Sequence, residues 1–230
     1  LVWVIAHRGV AVSDRENTVG AFLAAVQAGA DGVELDVRAT ADGALVVHHD
    51  AVLPSGLQIS NLPAAGLPDH LPTLDAALDA CAGLTVNVEV KSAPNEVDWD
   101  PSEATAAAVA RLIGRRGAQA RTIVSSFGLA AIDQVRAVDP TIPTGWLTLP
   151  GYDQHAALET VAERGHVALH PHHSAVSAEL VAAAHERGLA VNTWTVDDPA
   201  RMQVLAAWGV DAIITNDVAL ALATLATLRQ

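Results

Sequence analysis

The chain has 230 residues, 51% of them hydrophobic, which is enough for one large core and short for two. Thirteen basic against 26 acidic residues leave a formal net charge of −13. Such a surface repels nucleic acid and anionic membrane, so an anionic substrate would need a local positive site.

The N-terminal LVWVIAHRG forms a first strand over 2–7. It has no basic n-region and no small-residue cleavage site, so no signal peptide is expected; the missing initiator Met leaves an upstream leader open. A helix over 17–29 follows, opened by Asn17-Thr18, then a strand over 32–37. Ala41-Asp42-Gly43 signals a tight turn, and ALVVHHD reads as a short returning hairpin strand. Residues 51–72, rich in Pro and Gly, read as a loop over one rim. Strands at 86–91, 121–125, 143–147, 166–170, 190–195 and 211–215 then alternate with helices. Those helices are expected at 73–82, 102–116 (opened by Pro101-Ser102), 128–138, 153–164, 177–187 (closed by Gly188), 199–208 and 217–228. Eight βα units in a chain near the ~250-residue norm favour an α/β fold, a closed (β/α)8 TIM barrel of one domain over 1–230. Cys81, the only cysteine, excludes a disulfide framework and reads as a buried thiol. The final DVALALATLATLRQ is too short and too Thr-interrupted to span a bilayer, so neither stable membrane insertion nor nucleic-acid binding is expected, and a cytoplasmic location follows by default.

Chemistry concentrates where side chains alternate along strands. In Val33-Glu34-Leu35-Asp36-Val37 the apolar residues share the face that packs under helices, which points Glu34 and Asp36 into the barrel. Their Cα atoms would lie about 6.6 Å apart, within reach of one ion. Two carboxylates buried together need a cation to neutralise them, or an Arg bridge, or solvent. In Asn87-Val88-Glu89-Val90-Lys91 the same parity puts Glu89 and Lys91 inward, either as a structural pair or as parts of a site. Lys91 is the only lysine against twelve arginines, which suggests a position wanting a compact ammonium. His7, inward beside Arg8 at the end of the first strand, and His49, at the end of the returning strand, fall at the C-terminal mouth where barrel enzymes keep their sites. Gly9 permits the sharp exit from strand to loop.

His7-Arg8-Gly9, Glu16-Asn17-Thr18, Glu34-Leu35-Asp36-Val37, His49-Asp50 and Glu89-Val90-Lys91 occur in that order. With Asn192-Thr193-Trp194-Thr195 and Gly209-Val210-Asp211, they resemble the glycerophosphodiester phosphodiesterase family across essentially the whole chain. The resemblance implies a barrel that hydrolyses small-molecule glycerophosphodiesters to an alcohol and glycerol phosphate. It implies one divalent cation, Mg or Ca, bound by Glu34, Asp36 and Glu89; acid and base roles for His7 and His49; and phosphate contacts from Arg8 and Lys91. By the same resemblance the first nucleophile is the substrate's own glycerol hydroxyl, giving a cyclic phosphate that water opens. Two departures stand out. Arg15 replaces a common Pro, and the segment after His49-Asp50 is short, which reduces the cap over the head group.

Charge counting agrees with a metal: three carboxylates, one phosphodiester and two cationic side chains leave −2, which one divalent ion cancels. We take His7 as base and His49 as acid. Trp194 reads either as substrate-binding, packing on glycerol or choline, or as core. Trp146 and Phe127 are weaker pocket candidates, and His170, His172 and His173 read as solvated rim histidines. Competing readings are a lysophospholipase D entered through apolar residues Leu53, Leu57, Ile59 and Leu62, and a noncatalytic barrel that binds a phosphorylated ligand. Oligomeric state is not legible in the sequence.

Overall fold

Alternate residues of a strand face opposite ways, and this chain sorts them cleanly. Val4, Ala6, Val33, Leu35, Val37, Val86, Val88, Val90, Val124, Leu169, Val191 and Ile213 all join one buried cluster under the helices. The other face carries Glu34, Asp36, Asn87, Glu89, Ser125 and His170, all buried. The computed structural model describes residues 1–11 and 15–226. Its elements are β1 (Trp3–His7), α1 (Val19–Ala28), β2 (Gly32–Ala39), β3 (Leu45–Val47), α2 (Leu74–Ala80), β4 (Thr85–Val90), α3 (Ala104–Arg116) and β5 (Thr122–Ser126). There follow α4 (Leu129–Val138), β6 (Thr144–Thr148), α5 (Gln154–Glu163), β7 (Ala168–Pro171), α6 (Ala178–Glu186), β8 (Ala190–Thr193), α7 (Pro199–Ala207), β9 (Ala212–Thr215) and α8 (Val218–Leu225).

Strand β1 pairs in parallel with both β2 and β9, and the sheet runs β1-β9-β8-β7-β6-β5-β4-β2. That closes a barrel of eight parallel strands among the described residues, as the eight βα units predict. The ninth strand, β3, is the expected hairpin return, antiparallel to β2 with Val37 opposite Val47; pairing with it carries β2 on to Ala39. The helices are anchored by side chains that satisfy free backbone N–H groups: Thr18, Thr73, Asp153, Ser177, Asp198 and Asp217 each cap one.

Ser102 does not open α3. Its hydroxyl donates to Asp100 Oδ2 at 2.6 Å, and the helix begins instead from Glu103, which is left-handed (φ 54°) and accepts from Ser92 Oγ at 2.6 Å. The end of the helix expected over 217–228 lies partly outside the described residues. The 51–72 segment forms two short 3₁₀ turns, at Ile59–Asn61 and Ala64–Gly66. Its Leu53 and Ile59 cluster with Val46, with Leu62, Leu67 and Leu71 packed around them. Cys81 is fully buried, and burial pushes its thiol up to about 12. No helix among the described residues is long and apolar enough to cross a membrane.

Candidate active site

Register brings the predicted residues together. His7 lies level with Glu34 across β1 and β2, and Asp36 lies level with Glu89 across β2 and β4. One oxygen from each of Glu34, Asp36 and Glu89 falls within 4.8 Å of the others, and all three residues are buried. The sharp turn after β1 is built by Arg8 and Gly9, both left-handed at φ 59° and 81°. A Cβ on Gly9 would lie 2.7 Å from the carbonyl carbon of Ala21, so only glycine lets α1 pack this close. The turn aims the Arg8 N–H at Glu34 Oε2, 3.0 Å away.

Asp36 is well supplied with positive partners. Lys91 Nζ is 3.0 Å from Oδ1, Arg8 Nε is 3.2 Å from Oδ2, and Asn17 Nδ2 donates to Oδ2 at 2.7 Å. Burial alone would push Asp36 up, yet Lys91 and then Arg8 outweigh it and hold the carboxyl at about 2. Lys91 also reaches Glu89 Oε1 at 2.6 Å; burial works against its charge, but Glu89 and Asp36 overcome that and raise it. Glu89 is raised by burial despite Lys91. Glu34 fares worst: burial, then Asp36 and Glu89, push it well above the usual range. Its Oε1 is buried with no hydrogen-bond partner among the described residues. A buried oxygen without a donor, in an all-oxygen cluster carrying excess negative charge, fits a hard divalent cation. The three carboxylates could hold one.

Both histidines line the same cavity as Glu34 and Glu89. His7 Nδ1 contacts Asn216 Oδ1 at 2.7 Å, its Nε2 lies 3.9 Å from Glu34 Oε2, and burial lowers its pKa. Asn216 is itself held by Asp197: Nδ2 donates to Oδ2 at 2.6 Å and the backbone N–H to Oδ1 at 2.8 Å. His49 Nδ1 meets Asp50 Oδ1 at 2.7 Å. The His49 carbonyl accepts from Arg38 Nε and Nη2, at 2.9 and 2.6 Å, while the same guanidinium binds Asp98 and Glu96.

The mouth cavity has a volume of about 100 Å³ and is lined by His7, Arg8, Glu34, His49, Glu89 and Lys91 on its polar side. Phe127 and Trp194 form the apolar side, packed edge to face with ring centres 5.4 Å apart. Trp194 Nε1 donates to the His170 carbonyl at 2.8 Å, which fixes the indole plane. Trp146 is not in the lining; it packs on Tyr152 and donates to the Phe127 carbonyl. None of residues 51–72 lines the cavity.

One histidine departs from expectation. His170 is not solvated at the rim but sits inside the barrel, 1% exposed, where burial pushes it down to about 3. Its Nε2 accepts from Asn192 Nδ2 at 3.0 Å, and Gly145 on the neighbouring strand leaves the space the ring fills. Strand β7 ends one residue later, so the ring belongs to the barrel filling rather than the loop. His172 and His173 stay at the rim, partly buried, with His172 edge-on to Trp194.

Arg38, Asn216 and Asp197 were not picked out from the sequence. Arg38 shares the parity of Glu34 and Asp36, and Asn216 continues the inward count Ala212, Ile214; extending either pattern would have found them. Asp197 lies in a loop and carries no such signal.

The model of the glycerophosphoryl diester phosphodiesterase family matches residues 7–220. A glycerophosphodiester phosphodiesterase from Caldanaerobacter subterraneus subsp. tengcongensis is 31% identical over 239 residues, covering 93% of each chain. The crystal structure of a glycerophosphodiester phosphodiesterase from Thermotoga maritima superposes with a TM-score of 0.80 at 27% identity, over 96% of each chain. A phosphodiesterase from Oleispira antarctica, solved in complex with the product sn-glycerol-3-phosphate, gives a TM-score of 0.87 at 26% identity, over 98% of this chain and 97% of that one. With the motifs, the closed barrel and the acidic cluster at its mouth, these matches mean that the chain belongs to the glycerophosphoryl diester phosphodiesterase family, whose members are phosphoric diester hydrolases.

Proposed function

We propose that this chain hydrolyses glycerophosphodiesters to an alcohol and sn-glycerol 3-phosphate. The observation that carries the proposal is the meeting of three buried carboxylates, two cationic side chains and two histidines around one cavity. The relative from Oleispira antarctica holds that same product. Glu34, Asp36 and Glu89 would hold Mg or Ca, which when bound supplies Lewis-acid polarisation of a phosphoryl oxygen and cancels the local negative charge. Arg8 and Lys91 set positive charge beside the phosphate and favour the charge that develops on its oxygens during reaction. His7 accepts the proton of the attacking hydroxyl and His49 protonates the departing alkoxide. The attacking group is the glycerol hydroxyl adjacent to the ester, so the alcohol leaves and a cyclic phosphate forms. In the second step the histidines exchange roles, and water opens the ring. Phe127 and Trp194 offer an apolar wall to the glycerol carbons or to a choline group.

Cleavage of lysolipids is the second reading. It needs an apolar entry, but Leu53, Ile59 and Leu62 pack on one another, and although Leu57 is exposed, none of the four lines the cavity. The test is release of product from glycerophosphocholine with Mg or Ca and with EDTA, beside lysophosphatidylcholine. Metal-dependent, EDTA-sensitive release from the first substrate is expected. Turnover of the lysolipid alone would favour the second reading, and binding of either without turnover would favour a noncatalytic barrel.

A further inference from the structure

Asn216 and Asp197 lie in the loops after the last two barrel strands, yet both act on a histidine of the first. The Asp197 carboxylate offers only acceptors. Its Oδ1 takes the Asn216 backbone N–H at 2.8 Å and the Thr215 hydroxyl at 2.9 Å. Its Oδ2 takes a side-chain hydrogen from Asn216 at 2.6 Å. An amide group facing a carboxylate must present its nitrogen, so the Asn216 oxygen necessarily points the other way. There it meets His7 Nδ1 at 2.7 Å. An amide oxygen can only accept, so Nδ1 carries the ring hydrogen and Nε2 carries the lone pair. That lone pair is on the side of Glu34, whose Oε2 is 3.9 Å from Nε2.

We infer that Asn216 and Asp197 are positioning residues that lock His7 in the Nδ1–H tautomer, with Nε2 bare and turned into the cavity. An unconstrained neutral imidazole is free to adopt either tautomer, and the Nε2–H form would present a donor where a base is needed. The chain of three groups removes that freedom before substrate arrives. Partners of this kind, acting through the ring nitrogen that does not react, fix both the hydrogen and the plane of the ring. The inference deepens the base role proposed for His7 and rests on that reading only for its kinetic consequence; the tautomer itself is a property of the resting protein.

Asp197→Asn tests it with little change of shape. The new amide oxygen can still accept from Thr215 and the Asn216 backbone, but its nitrogen now faces the Asn216 amide nitrogen. Asn216 must turn over, offer N–H to His7 Nδ1 and drive the ring to Nε2–H. Asn216→Ala, which removes the acceptor altogether, is the second variant should the first fold poorly. Long-range proton–nitrogen spectra of ¹⁵N-histidine-labelled, metal-free protein at pH 8 read the tautomer directly, with His7→Gln locating the signal. The wild type is expected to show Nδ1–H and Asp197→Asn to show Nε2–H. With glycerophosphocholine and Mg, kcat should fall by roughly 10²–10⁴, the range for losing a general base, while KM stays within about threefold. An Nε2–H signal in the wild type overturns the inference, as does a tautomer unmoved in both variants with kcat within about twofold. A wild type that shows Nδ1–H but turns over no glycerophosphodiester overturns the proposed function and leaves the tautomer lock standing.

Discussion

Glu34 is the carboxylate of the cluster with the least compensation, since one oxygen has only the Arg8 backbone N–H and the other has no donor among the described residues. Glu34→Gln therefore removes a charge that the proposed cation would need and the metal-free fold does not. Calorimetric titration with Mg or Ca should show binding lost, turnover should disappear, and the thermal melt of the metal-free variant should be at least as high as that of wild type. Arg38 is the opposite case. Its guanidinium is 2% exposed and ties the His49 carbonyl to Asp98 and Glu96. Arg38→Met strands the Asp98 carboxylate in a buried place, which costs about 3–5 kcal/mol, and frees the His49 backbone. Denaturant melts should register the first effect and a lower kcat the second. At this scale the sequence is legible wherever parity along a strand decides direction, as for Glu34, Asp36, Glu89 and Lys91. It is silent on Asp197, because a loop has no periodicity to read.

Among the elements, β6 and β7 share a constraint that the sequence pattern hides. The His170 ring fills the space beside Gly145, where burial keeps it neutral down to about 3. In the unfolded chain it titrates near the ordinary 6.5, so between these values the unfolded state binds a proton that the folded state refuses. Stability from this group is complete above the ordinary value and is lost as pH falls below it. Going from pH 7 to pH 5 should cost about 2 kcal/mol through His170 alone. Urea melts at the two pH values should show that difference shrink by this amount in His170→Gln. Gly9→Ala strains a left-handed turn and collides with the backbone of α1; a loss of roughly 1–3 kcal/mol is expected in the same melts. The βα alternation and the hairpin return are legible because apolar periodicity and Asp42-Gly43 fix them locally. The start of α3 is not, because Ser102 is diverted to Asp100, and the folding of Leu53 and Ile59 onto Val46 is a tertiary choice.

For the molecule as a whole, charge sets the approach of substrate. The net −13 opposes an anion at long range, while Arg8 and Lys91 act only inside the mouth. Added salt screens the first effect more than the second. For glycerophosphoglycerol, which carries a net negative charge, kcat/KM should rise between low and physiological ionic strength. For zwitterionic glycerophosphocholine it should stay nearly flat. A fall for both would mean that the local positive site dominates at all distances. Barrel closure was legible from the count of eight βα units and from a chain length near the barrel norm.

Because His7 on β1 is held by Asn216 and Asp197 beside β9 and β8, the seam of the barrel runs through the mouth that holds the candidate active site. A chain emerging from the ribosome makes His7, Glu34, Asp36 and Glu89 well before it makes Asn216. It has nothing to orient that histidine until the last strand docks. Newly made protein should thus acquire competence in one late step, and a version cut short before Asn216 should be inert even where its earlier strands hold their pairing.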